Sequence, residues 1–292
     1  MHIKFSKSLL AIAALVALTS VSARAETVTG LTSTNALFTF DSATPLLGTA
    51  PIIITGLQAN EQILGIDTRP SNGLLYGLGN SGRLYTLNNS TGVATFASLL
   101  STGLSGTSFG VDFNPVPDRL RVTSNAGQNL RINVATGGVT NDAALNGTVS
   151  SINASAYTNS RPGTIASTTL YGISAATDSL YIQTPPNNGT QVLVGALGFD
   201  TSGVSGFDIS GNGNVAYASL LNADTGKSSF YTINLGTGAA TLVGAFGVLG
   251  NPAVAAPILG LAVSAVPEPG TYALLLAGLG VVGFMAKRRK SV

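Results

Sequence analysis

The chain has 292 residues, no cysteine, and a single histidine, His2. Each absence excludes a class of chemistry. Without these residues the body of the protein has no Ser-His-Asp triad, no cysteine nucleophile, no thiolate zinc site and no imidazole base. It also has no disulfide staples and no thiol for a lipid anchor. A metal site would have to be built from oxygen ligands, which suits Ca2+ or Mg2+. Charge is scarce, at 9% of residues. The formal net charge of +2 belongs to the two ends: between 26 and 265, seven Lys and Arg face eleven Asp and Glu, a net of −4. The basic pI is therefore no argument for nucleic acid binding. Helical periodicity is missing before residue 270.

The ends have their own grammar. Lys4 and Lys7 precede the apolar run Leu9–Leu18, and Ala23-Arg24-Ala25 follows it. These are the parts of a secretory signal peptide, with cleavage expected between Ala25 and Glu26. The run is too short for a membrane span, which needs about 20 residues. At the other end Val266-Pro267-Glu268-Pro269-Gly270 breaks the pattern. Thr271–Ala286 is then apolar, and the basic tail Lys287, Arg288, Arg289, Lys290 ends it. At about 1.5 Å per residue that run reaches roughly 24 Å as a helix, enough to cross with snorkelling cations. The tail should stay in the cytoplasm, which places the body outside the inner membrane. Three segments are expected: 1–25 signal peptide, 26–265 repeat domain, 266–292 sorting segment.

Between the ends the chain repeats. Ile63–Asp67, Leu74–Leu78, Arg83–Asn88 and Val93–Leu99 read as four short strands separated by Gly- and Asn-rich turns. Further units begin at Phe109, Ile152 and Val204. The first unit, Thr27–Leu31, Ala36–Asp41 and Leu46–Ile53, lacks an opening strand, and Ile258–Val263 at the far end is the surplus one. Aligning Gly65, Gly110, Asn153, Gly206 and Gly260 gives intervals of 45, 43, 53 and 54 residues. The pattern predicts an all-β propeller of five four-stranded blades, closed by pairing of the chain ends and followed by a C-terminal transmembrane helix. A β-helix or a β-sandwich is the alternative; hairpin-length turns argue against the helix.

Three units carry an acid at one point: Asp67, Asp112 and Asp208, each two residues after a glycine. On axis-lining strands they could converge and hold Ca2+. The simpler reading is that each accepts backbone N–H bonds at its strand's end, and its repetition favours that reading. The expectation is therefore no catalytic residue, no cofactor and no metal, with these three aspartates the candidates for Ca2+ if one binds. Arg119 and Arg121 share a strand face with Arg131 nearby, a set that could meet an acidic polysaccharide. Pairing with Asp112, Asp118 or Asp142 is the plainer expectation. Tyr76, Tyr85, Tyr171, Tyr181, Tyr217 and Tyr231 read as blade packing rather than a sugar platform.

The end of the chain resembles the PEP-CTERM sorting signal of Gram-negative bacteria: Pro267, Glu268 and Pro269 match its motif, Thr271–Ala286 its membrane helix and Lys287–Lys290 its basic tail. The resemblance implies processing by an exosortase-like enzyme after signal peptidase, transient anchoring in the inner membrane, and delivery to the cell surface or extracellular matrix. The body is similar to the bacterial domain of unknown function 4394 family, through GVDFNPVPDRLRVTSNAGQNLRINVATGG (110–138) and SLYIQTPPNNGTQVLVGALG (179–198). That family implies no activity and supplies no catalytic residues. The first functional reading is an exported, non-enzymatic surface or matrix protein whose propeller binds a polysaccharide or a surface protein. The alternatives are a Ca2+-dependent hydrolase or lyase with its carboxylates in the channel, and a small-sugar binding module. The balance is against an enzyme.

Overall fold

The computed structural model describes residues 25–248 and 256–264. The leader, the Pro267-Glu268-Pro269 motif, the expected membrane helix and the basic tail lie outside the described residues. Within them the strands fall into five sheets. The first holds β1 (Thr27–Thr32), β2 (Ala36–Asp41) and β3 (Ile52–Ile53). The second holds β4 (Ile63–Thr68), β5 (Leu75–Gly79), β6 (Arg83–Leu87) and β7 (Ala94–Leu99). The third holds β8 (Phe109–Asn114), β9 (Arg119–Ser124), β10 (Asn129–Asn133) and β11 (Gly138–Asn141). The short β12 (Asn146–Gly147) leads to the fourth: β13 (Ala154–Tyr157), β14 (Leu170–Ser174), β15 (Ser179–Gln183) and β16 (Thr190–Ala196). The fifth holds β17 (Thr201–Ile209), β18 (Ala216–Asn222), β19 (Lys227–Ile233) and β20 (Ala240–Ala245). The last strand, β21 (Ile258–Val263), returns to the first sheet and pairs antiparallel with β1, from Val28 opposite Val263 to Thr32 opposite Ile258. This is the five-bladed propeller, closed by the two chain ends.

Local chemistry sets each blade. The turn from third to fourth strand is Asn-x-x-x-Gly in three blades: Asn88 to Gly92, Asn133 to Gly137, Asn234 to Gly238. The asparagine side chain accepts nearby backbone N–H groups, and the glycine N–H returns to the asparagine carbonyl at 2.7–2.8 Å. Each of these glycines has φ between 72 and 81°, a left-handed conformation that costs glycine little. One element departs from expectation. Leu46–Ile53 is not one strand but a 3-10 turn over Pro45–Leu47 followed by the two-residue β3. Pro45 and Pro51 have no N–H to give a ladder, so pairing begins only after the second proline.

The core lies between blades rather than within them. Tyr76, Leu78 and Leu84 of the second blade meet Val111, Phe113 and Val122 of the third. Phe38 and Phe40 of the closing blade meet Tyr217, Phe230 and Phe246 of the fifth, with Phe40 and Phe230 edge to face at 4.9 Å. Outer edges are clasped by the linker from the preceding blade: Thr55 bridges Val93, β12 pairs parallel with β16, Leu197 O accepts from Ala240 N, and Gly48 bridges Val248. These clasps cover part of each edge that would otherwise recruit another chain. Among the described residues, no helix is long and apolar enough to cross a membrane.

Candidate functional site

The innermost strands β4, β8, β13, β17 and β21 stand around the axis. Along each, side chains alternate, so a residue and its second neighbour face the same adjacent blade. Glycine occupies the first such position in four strands, as Gly65, Gly110, Gly206 and Gly260. The strands are close enough to require it. A Cβ on Gly206 would lie 2.7 Å from the carbonyl carbon of Gly260, and one on Gly110 would lie 2.5 Å from the backbone nitrogen of Ser155. Gly206→Ala is therefore expected to destabilise the domain by about 1–3 kcal/mol, since backbone cannot move aside as a side chain tip can. Gly103→Ala, with open space around it, is the control and should be neutral or slightly stabilising. Equal midpoints for the two variants in urea denaturation would contradict the tight axis.

The close approach explains what the acids do. Asp67 takes its own Thr68 N–H at 2.6 Å and the Phe113 N–H of the next blade at 2.7 Å. Asp112 takes the Tyr157 N–H of its next blade at 3.0 Å. Asp208 takes its own Ile209 N–H at 2.6 Å and Val263 N–H of the closing strand at 2.5 Å. The expected role as backbone acceptors is present, but two of the bonds stay local and three staple neighbouring blades. The same bonds fix the register of β13. Tyr157 stands where Phe113 and Val263 stand, so Ala156 occupies the acid position and Ala154, not Asn153, is the counterpart of the glycines.

The three aspartates also converge. One carboxylate oxygen from each lies within 4.8 Å of the others, and the residues are 1–3% exposed. Burial pushes Asp67 and Asp112 well above the usual carboxylate range; repulsion from Asp208 adds to the first, and from Asp67 and Asp208 to the second. Burial raises Asp208 to about 7, opposed by the bonds from Val263 and Ile209. Three ionised carboxylates cannot share this space without a compensating positive charge. A small axial space at the level of the glycines, lined by Gly65, Val111, Ser155, Ser205 and Gly260 among others, has room for about one water molecule.

The arginines do not join this cluster. Arg121 sits opposite Asp112 in the ladder, yet its side chain crosses to the next blade. There it is 1% exposed, bonded to Asp142 at 2.6 Å, to Asn129 and Asn187 at 2.8 Å, and to the Tyr157 hydroxyl at 3.2 Å. Arg131 forks onto the same Asp142 at 2.7 and 2.8 Å. Asp118 pairs instead with Arg69, and Arg119 donates to the backbone carbonyls of Pro117 and Asp118. This polar network fills the seam between the third and fourth blades, where the apolar cluster has only three buried members. Of the tyrosines, Tyr76, Tyr85, Tyr181 and Tyr217 are buried; Tyr171 and Tyr231 pack half-buried against the seam between the fourth and fifth blades.

The family described as Domain of unknown function (DUF4394) matches residues 36–257. The chain belongs to the DUF4394 family. Residues 265–290 match the PEP-CTERM protein-sorting motif, which indicates export to the cell envelope or surface of a Gram-negative bacterium and processing by an exosortase-like enzyme. No curated protein matches. Among solved structures, this DUF4394 propeller is similar to a chain of a nidogen/laminin complex, at 11% identity and TM-score 0.50, covering 82% of this chain and 98% of that one. It is also similar to a structural genomics protein of unknown function from Bacteroides thetaiotaomicron, at 14% identity and TM-score 0.48, covering 80% and 63%. At 11% identity the first likeness speaks for the fold alone.

Proposed function

We propose that this DUF4394 protein is a non-enzymatic propeller that works at the cell surface or in the extracellular matrix, binding a polymer or a surface protein there. The observation that carries the reading is the filled axis. The aspartates spend five of their six oxygens on backbone N–H groups, and the inner strands touch backbone to backbone. A hydrolase or lyase using these carboxylates would need an open coordination position that a substrate could reach, whereas they are 1–3% exposed and the axial space at the level of the glycines takes about one water. The acidic-polysaccharide reading also loses Arg121 and Arg131, both committed to Asp142.

In this reading signal peptidase cuts after Ala25, the apolar run Thr271–Ala286 is a temporary stop, and the exosortase-like enzyme removes it. The mature body is then 26–265 with a short remnant. Replacing Pro267, Glu268 and Pro269 with alanines should leave membrane insertion intact, because hydrophobicity and Lys287–Lys290 govern topology. Release should fail, with the full-length form accumulating in the membrane fraction. Mass spectrometry of released protein should find neither the first 25 residues nor peptides from Leu274–Arg288; recovering the latter would make the tail a permanent anchor. Released protein should also sediment with isolated envelope or extracellular polymer from the producing cells. Quantitative recovery in the soluble supernatant would overturn the surface and matrix role.

A further inference from the structure

The level of the acids can be counted in full. Five inner strands present five N–H groups there, those of Thr68, Phe113, Tyr157, Ile209 and Val263, and all five are bonded by the three carboxylates. Three carboxylates bring six oxygens. The sixth, Oδ2 of Asp112, is buried and accepts from no N–H or O–H among the described residues, and Asp112 has the Asp208 carboxyl against it. Leaving such an oxygen unpaired in the interior is costly, more so with two like charges beside it. The remaining two positions of the ring are Ala156 and Ala262, both fully buried, which leave the centre to the acids. Arg121, fully buried and opposite Asp112 in the ladder, is held elsewhere by Asp142, Asn129, Asn187 and Tyr157.

We propose that Asp67, Asp112 and Asp208 hold one divalent, oxygen-seeking cation of the Ca2+ class, a structural ion that ties the inner strands together at the axis. Each carboxylate oxygen keeps a lone pair after accepting its N–H, so up to six ligand atoms are available from three residues. An ion with bonds of about 2.3–2.6 Å bridges oxygens up to roughly 5 Å apart, and one oxygen from each of the three residues lies within 4.8 Å of the others. Mg2+ fits less well, because it usually keeps several waters and the three carboxylates are buried. Such an ion is buried by the blades it joins, so it serves stability and not turnover.

The test uses the mature protein recovered from the released fraction. Elemental analysis should find one Ca2+ per chain. Chelation followed by dialysis should lower the melting temperature, and about 1 mM Ca2+, the range of extracellular Ca2+ modules, should restore it by about 5–10 °C. Asp112→Asn keeps an acceptor for the Tyr157 N–H and should weaken Ca2+ binding at least tenfold. If Asp112→Asn does not fold, Tb3+ luminescence of the wild type, quenched by added Ca2+, decides. A melting temperature indifferent to chelator and Ca2+ overturns the site. So does a metal-free protein that gains stability as pH falls from about 8 to 6, because a proton shared among the acids then supplies the missing charge. Tighter binding of Mg2+ than Ca2+ overturns the assigned ion class.

Discussion

Removing residues 258–265 should unfold the whole domain rather than fray one edge. β21 gives Ile258, Leu261 and Val263 to the apolar seam beside the fifth blade, all 8% exposed or less. Each is worth roughly 1.5–3 kcal/mol of burial, about 5–9 kcal/mol together. The deletion also strips β1 of its ladder partner and Asp208 of the Val263 N–H. A domain of this kind is held by only about 5–15 kcal/mol in total, so the loss consumes most of it. Circular dichroism of the truncated body should show no cooperative transition, or one displaced downward by well over 10 °C. Truncation after Ala265, which spares β21, should leave the transition in place. A 258–265 deletion with an unchanged midpoint would mean that the ring stays shut without its last strand.

The second large effect is expected at the polar seam. Asp142→Asn leaves the Arg121 guanidinium, 1% exposed, with neutral acceptors only. Arginine keeps its charge at any pH a protein survives, so the cation stays buried and under-compensated. Breaking a buried pair in this way costs about 3–5 kcal/mol. The surface-facing pair Arg69–Asp118, with side chains 20 and 35% exposed, sets the contrast: Asp118→Asn should cost about 1 kcal/mol or less. Equal losses in urea titrations would refute the distinction. The pH dependence has a definite sign. Burial alone would raise Asp142, but the bonds from Arg131 and Arg121 prevail and hold it below the usual carboxylate value. It ionises more readily folded than unfolded, so its stabilisation is complete at neutral pH and drains as pH falls through its folded pKa. Asp142→Asn should lose that part of the acid sensitivity.

Everything that depends on neighbours along the chain was legible in the sequence. Alternating side chains, Asn and Gly in the turns, and the missing and surplus strands at the two ends are local patterns, and counting them led to five blades and the closure through Ile258–Val263. The sorting tail is equally local, since another enzyme reads Pro267-Glu268-Pro269 as linear sequence. The glycine two residues before each aspartate was visible as a motif that fits crowding near the axis, but the use the acids make of that closeness was not. Only the packed ring shows that the missing Cβ lets the next blade approach until the carboxylate reaches a foreign N–H. The off-by-one alignment at Asn153 came from the same source, because the bond from Tyr157 to Asp112, not sequence likeness, sets that register. The partners of Arg121 and the aromatic seam around Phe230 were likewise decided between elements, whereas the short β3 follows from Pro45 and Pro51 and was open to a local reading. Strands and turns follow from interactions a few residues apart, whereas the meeting of three acids at the axis depends on contacts between blades more than 40 residues apart in the chain, which no local pattern encodes.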